Sequence, residues 1–311
     1  MSGEATQHDH HASGRAYLLL ILTALFWATN AVLGRLAVGQ VSPMLLVTLR
    51  WLGSVLLILV FARHHLFREW PVLRRHLPFL AAMGALGFAC FNALFYLAAH
   101  YTTAVNIGII QGAMPVFVLI GAYAAYRTPV HGWQYAGMAL TLTGVVIVAS
   151  HGSLARLLAL TFNRGDMILV VACMLYAGYA VGLRRRPAVS SLALFSVFAG
   201  AAFLASLPLT AAEYTLGDLQ WPTTNGWIYA ALISVFPSFL GQILFMNGVA
   251  LIGPGRAALF VNLVPVFAPM LAILILGEPF HSYHALALAL VLGGIWLAER
   301  VKPKPAGPST Q

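Results

Sequence analysis

The apolar residues of this chain come in long runs broken by short polar stretches, not at every second position and not on one helical stripe. Ten runs approach the length that a membrane-crossing helix needs, about 20 residues: 16–34, 44–61, 78–98, 103–122, 133–150, 167–183, 190–210, 226–246, 256–276 and 284–299. In hydrocarbon every backbone N–H and C=O must find its partner within the protein, which a helix achieves inside one segment. A barrel would need strands of about ten residues that alternate apolar and polar positions, and these runs do not alternate. The pattern predicts an all-α membrane protein of ten transmembrane helices. Most of the gaps are short, so successive helices are expected as antiparallel hairpins.

Composition strengthens this reading. Of 311 residues, 60% are hydrophobic and only 8% charged, against about 25% charged in soluble domains. The net charge of +9 raises the question of nucleic acid, but the basic residues sit in short clusters between apolar runs, as at Arg63, Arg68, Arg74 and Arg75, or Arg184, Arg185 and Arg186. That is the pattern of cytoplasmic loops, and no nucleic-acid partner is expected. With the amino terminus placed in the cytoplasm, the opposite side carries only Arg35, Arg156 and Arg164 of the 17 basic residues, and Arg50 lies inside the second run. Both termini are therefore expected on the cytoplasmic side of the cell membrane, with polar tails at 1–14 and 300–311. The first tail holds His8, Asp9, His10 and His11, which fits either weak metal binding or a plain disordered extension.

The chain repeats itself. Residues 92–147 align with 242–297 at a constant offset of 150: Leu94-Phe95 meets Leu244-Phe245, Pro115-Val116-Phe117 meets Pro265-Val266-Phe267, and Pro129, His131 and Gly144 meet Pro279, His281 and Gly294. Two copies of five helices follow, 15–150 and 165–299. Five is odd, so the second copy must be inverted in the membrane. The loop charges agree, since the basic stretch 62–77 corresponds to 211–225, which carries Glu213 and Asp218 and no Lys or Arg. Inverted repeats around a midplane site are a common plan of secondary transporters.

With Phe26-Trp27-Ala28-Thr29-Asn30, Arg35, Pro43 and Leu49-Arg50 in the first copy, and Pro265-Val266-Phe267 and Leu276-Gly277-Glu278-Pro279 in the second, residues 16–299 resemble the drug/metabolite transporter superfamily, in its ten-helix form built from two EamA domains. The chain departs from that pattern in carrying Arg127-Thr128-Pro129 where Gly277-Glu278-Pro279 stands later, and in having no arginine in the seventh helix to match Arg50. The resemblance implies a carrier with a central cavity lined by helices 1, 3, 4, 6, 8 and 9. It also implies export of small metabolites, with amino acids, and aromatic ones in particular, as the favoured class. Nucleobases, amines and small drugs form the alternative.

Polar groups at mid-depth are costly and each asks for a reason. The amides Asn30, Asn92, Gln111, Gln242 and Asn262 are cavity candidates, Asn92 and Gln242 being equivalent in the two copies. They both donate and accept, which suits a zwitterion, and interhelical hydrogen bonding is the competing reading. Trp27, Tyr96, Tyr176 and Tyr179 add rings that either line the same cavity or simply pack. Pro115 and Pro265, at matched positions, should kink their helices, as hinges or gates or as static bends. Ala104, Gly108 and Gly112 on the fourth helix allow close packing, within the chain or across a dimer. A monomer is sufficient for a site of this plan and a dimer is possible.

Arg50 has no carboxylate at its depth. It either ties helices together or acts on an anionic group of a solute. Glu278, at a span end, is a candidate for proton exchange or for helix capping. Cys90 and Cys173 both fall in apolar runs, without metal-type spacing. No zinc-type cluster, nucleophile elbow or P-loop is present, so neither an enzyme nor a cofactor is expected. The expected partners are a small-molecule substrate and membrane lipid.

Overall fold

The computed structural model describes residues 2–276 and 279–299, among which no strand occurs. Ten helices are long and apolar enough to cross a membrane: α1 (Gly14–Leu36), α2 (Pro43–Phe61), α3 (Arg63–Ala99), α4 (Asn106–Tyr126), α5 (Gly132–Ala149), α6 (Arg164–Arg185), α7 (Ser191–Thr215), α8 (Thr224–Ile252), α9 (Pro254–Ile275) and α10 (Ser282–Glu299). They coincide with the predicted runs to within a turn or two, except at α3. There the helix starts fifteen residues earlier, with a polar, arginine-rich stretch at Arg63–Leu73. Only Leu73 of that stretch is fully buried. The helix of α1 also reaches back to Ser2, so the backbone is helical where an irregular tail is expected. Glu278 and the segment 300–311 lie outside the described residues.

The two halves are interleaved: α2, α4 and α5 pack on their counterparts α7, α9 and α10, while α1 and α3 pack crosswise on α8 and α6. Leu20, Thr23 and Trp27 of α1 meet Gly248, Gly241 and Pro237 of α8, so the two run antiparallel. The pair related to it by the repeat is α6 with α3, where Tyr179 and Gly165 meet Gly87 and Ala98. On α2 and α7, Thr48 bonds Ser206 Oγ at 3.0 Å, and the Thr210 hydroxyl donates to the Met44 carbonyl at 3.0 Å. The pair α5 and α10 crosses at two glycines. A Cβ on Gly294 would lie 2.6 Å from the Gly137 carbonyl oxygen, and one on Gly137 would strike the Gly294 carbonyl. Only glycine lets the two backbones approach this closely. Gly108 and Gly112 of α4 face Ala149 and Val145 of α5, so that small-residue row packs within the chain.

Four interruptions of the helices fall at matched places. α4 breaks at Ala113, between the segments Ala104–Gly112 and Met114–Tyr126, and α9 breaks between Pro254–Val261 and Val264–Leu276. Pro115 and Pro265 each sit second in the new segment. Lacking an N–H, each removes the regular helical hydrogen bond to the carbonyl four residues back, at Gln111 and Val261. The other two interruptions are single π-helical turns, at Ala85–Cys90 in α3 and Ser234–Leu240 in α8. Such turns are rare and concentrate at functional places.

Candidate functional site

The sequence sets up the π turn of α8. Pro237 has no N–H, so the Ile233 carbonyl four residues back loses its donor. The Ser238 hydroxyl replaces it, donating to Ile233 O at 2.8 Å. Its oxygen then accepts from Arg50 Nε at 2.9 Å. In α3, Asn92 Nδ2 donates to the Phe88 carbonyl inside the other π turn at 2.7 Å, and Asn92 Oδ1 accepts from Arg50 Nη1 at 3.1 Å. Arg50 is thus held between the two matched π turns, by side chains that each serve an interrupted backbone.

Arg50 is only 5% exposed, and among the described residues no carboxylate pairs with it. Its guanidinium lies 5.4 Å from the centre of the Trp51 ring, which offsets part of the cost of a buried cation. Trp51 in turn stacks flat on Phe88 of the α3 π turn, with centroids 4.8 Å apart. Four residues on, Ser54 Oγ donates to Arg50 O at 2.9 Å. A Cβ on Gly53 would collide with Ser234, at 2.6 Å from its Cβ. One turn of α2 therefore locks onto both interruptions.

Arg50 forms part of the wall of a cavity of about 510 Å³, within the range of small-molecule sites. The cavity walls come from α1, α3, α4, α6, α8 and α9, with Arg50 as the contribution of α2. Trp27, Asn30, Asn92, Tyr96, Gln111, Tyr176, Gln242 and Pro265 all line it. It reaches the face where α1 and α3 end, at Arg35, Val38 and Ala99, and Val38 is 77% exposed. Four of its polar atoms are buried without a hydrogen-bond partner among the described residues: Asn30 Oδ1, Gln242 Oε1, Tyr96 Oη and Tyr176 Oη.

Toward the opposite face the cavity ends on aromatic rings. Trp27 meets Tyr176 edge-on with centroids 5.8 Å apart, and Phe245 at 5.0 Å. The indole Nε1–H donates to the Pro237 carbonyl at 3.1 Å. A Cβ at position 241 would stand 2.8 Å from that nitrogen, so Gly241 is what lets the indole lie against α8. Beyond the rings a second depression of about 590 Å³, lined in part by Leu119, Ala122, Arg184, Arg186 and Arg256, opens at the face where α1 begins. There Arg256 of α9 donates from Nε to both oxygens of Glu299 of α10, at 2.7 and 2.9 Å, and from Nη2 to Oε2 as well. Tyr17 of α1 donates to Glu299 at 2.7 Å.

Two cavity candidates from the sequence, Tyr179 and Asn262, stand elsewhere. Tyr179 is off the cavity, packed edge-on against Phe88 and Phe198 at 4.8 and 5.6 Å. It is one turn from Tyr176 on α6, and both are buried because α6 is covered on most of its circumference. Asn262 is fully buried and donates to Thr141 Oγ1 of α5 at 2.9 Å, so it joins α9 to α5 at the α9 break. Pro115 is buried beside the α4 break and does not line the cavity. Sequence reasoning missed Ser238, Pro237 and Phe88. Pro237, a proline inside an apolar run, was the available signal for the α8 turn.

The two halves, at residues 14–150 and 163–299, each match the model of the EamA-like transporter family, and the chain belongs to that family of the drug/metabolite transporter superfamily. It is a multi-pass membrane protein of the transporter type. It is 26% identical over 294 residues to the uncharacterized transporter YetK of Bacillus subtilis (strain 168), covering 93% of this chain and 88% of that one. To the uncharacterized transporter YyaM of the same organism it is 26% identical over 291 residues, covering 92% and 93%. A probable terminal-alkyne amino-acid exporter of Streptantibioticus cattleyicolor is 24% identical over 229 residues, 73% of this chain and 74% of that one. A solved crystal structure shares the fold with a TM-score of 0.70 at 19% identity, over 91% of this chain and 96% of the other.

Proposed function

We propose that this chain is a secondary carrier that exports amino acids, aromatic or hydrophobic ones above all, by alternating access. The observation that carries the proposal is the cavity at the crossing of two inverted copies, open toward one face and closed by Trp27, Tyr176 and Phe245 toward the other. Inverted copies can exchange the two arrangements by rocking about a fixed central site. In the orientation favoured by the loop charges, both termini are cytoplasmic and the cavity faces outward. The aromatic walls suit an apolar side chain, and the unpartnered amides and hydroxyls suit the polar end of an amino acid. The similarity to an amino-acid exporter supports the same class. All of these groups come from one chain, so a monomer in the lipid is sufficient.

The test is exchange in proteoliposomes holding the purified protein, with labelled phenylalanine, tyrosine, tryptophan, leucine and methionine. Saturable uptake, accelerated by unlabelled amino acid inside, is the expected result. Absence of exchange for the whole set, with folded protein, removes amino acids as the substrate.

A further inference from the structure

The cavity wall is electrically one-sided. Arg50 is its buried cation, without an acidic partner among the described residues, and the neutral oxygens of Ser238 and Asn92 take two of its donors. The Tyr96 hydroxyl stands beside it, within reach of a third donor. The polar wall also carries Gln111, Arg35 at its mouth, and the oxygens of Asn30, Gln242 and Tyr176, which have no hydrogen-bond partner among the described residues. A buried guanidinium with donors to spare is a fork shaped for a carboxylate. Neutral acceptors without donors are the complement of an ammonium.

We infer that Arg50 is the carboxylate anchor of the cavity, so that the transported class is carboxylate-bearing, with the amino group of an amino acid received by the unpartnered oxygens. The inference rests on the carrier reading above and narrows it. Arg50 is positioned for this task by the π turns. Ser238 and Asn92 fix Nε and Nη1, which orients the plane of the fork while leaving further N–H groups for a ligand. A residue that only tied helices together would sit among partners that consumed its donors. It would also gain nothing from the cavity beside it. A bound carboxylate would relieve a cost that every empty transport cycle otherwise carries.

The experiment pairs each acid with its neutral derivative. Thermal shifts of the detergent-purified full chain are titrated with L-phenylalanine, L-leucine and L-methionine, with their carboxamides, with 3-phenylpropionate and with phenethylamine. The expected result is that each free acid binds about 100-fold more tightly than its carboxamide, the discrimination of a buried charged anchor. Phenylpropionate is expected to bind and phenethylamine to bind poorly. Arg50→Gln should abolish the preference for the acid while leaving phenethylamine unchanged or improved, and Arg50→Lys should restore part of it. Carboxamides binding as well as acids, no acid binding at all, or Arg50→Gln weakening acid and amine alike would each overturn the inference. If Arg50→Gln fails to fold, the acid-to-amide ratio of the unaltered chain still decides. Saturable exchange of phenethylamine alone would keep the carrier and remove the anchor, whereas acid-specific binding without any exchange would keep the anchor and remove the carrier.

Discussion

The indole Nε1–H of Trp27 donates to the carbonyl of Pro237 at 3.1 Å, so the ring that floors the cavity is fastened to the π turn of the opposite half. Trp27→Phe keeps a ring in place and removes the donor to that carbonyl. The expected cost is about 1 kcal/mol of stability, read as a lower Tm. A larger loss of exchange rate than of solute affinity is also expected, because the ring's position on α8 is disturbed more than the cavity wall. Unchanged exchange kinetics would separate this bond from transport.

The α5–α10 crossing is set by backbone contact at Gly137 and Gly294. Gly294→Leu must push the helices apart and is expected to destabilise by roughly 1–3 kcal/mol or more. Gly293→Ala, one residue away, meets only Leu140 Cδ2 at 3.7 Å and should be nearly neutral. A melting comparison of the two variants in detergent checks this pair of expectations.

At the face where α1 begins, Glu299 gathers Tyr17 and Arg256 from two other helices. Glu299→Gln removes the ion pair and leaves Arg256 without its counter-charge. If the proposed carrier opens at this face by parting these helices, losing the contacts shifts its population toward the open arrangement. With Cys90→Ala and Cys173→Ala as background, a cysteine placed by Ala122→Cys, at a site now 4% exposed, should react faster with a polar maleimide once Glu299→Gln is added. Equal labelling rates would show that the cluster only braces the helix ends.

Two carboxylates hold the starts of α2 and α7. Glu213, near the end of α7, accepts from Ser42 Oγ and the N–H groups of Met44 and Leu45 at 2.7, 3.1 and 3.0 Å. Glu69, in the first turns of α3, accepts from the Ser190 N–H at the start of α7 at 2.6 Å. A negative group at a helix amino end satisfies orphan donors and complements the dipole. Glu213→Ala should cost about 1–2 kcal/mol, and Glu213→Gln less, since one oxygen remains. Tm values in that order check the assignment.

Much of this fold was legible because bilayer solvation leaves a coarse signal. Ten runs, two copies and the opposite orientation of the copies follow from hydropathy, from matched residues such as Pro115 and Pro265, and from where the arginines fall. Asn92 and Gln242 stood out for the same reason, being polar at a costly depth; both line the cavity, and Asn92 also makes the interhelical bond of the competing reading, to Arg50 of α2. Which side of a fully covered helix faces a void is a different matter. Tyr176 and Tyr179 differ by less than one turn, and no polar face on α6 tells them apart. Asn262 was assigned by depth alone, and its partner Thr141 belongs to α5, whose approach is set by glycines. The α3 π turn carries no proline to mark it in the sequence, and its Phe88 packs against Trp51, Tyr179 and Phe198, residues distant in the chain. Ser238 was invisible because a serine in a span ordinarily bonds its own helix.

The reciprocal pairing of α1 with α8 and of α3 with α6 has a consequence for biosynthesis. When the ribosome has delivered five helices, the faces of α1 and α3 that later meet α8 and α6 are still turned to lipid, and Arg50 still lacks Ser238. The first half must wait as a loose set of inserted helices, held by lipid and insertion machinery, until α6 to α8 arrive to close around it. Release of the nascent chain after α5 should yield a product that is inserted but protease-sensitive, and compactness should appear only once α8 has cleared the exit tunnel.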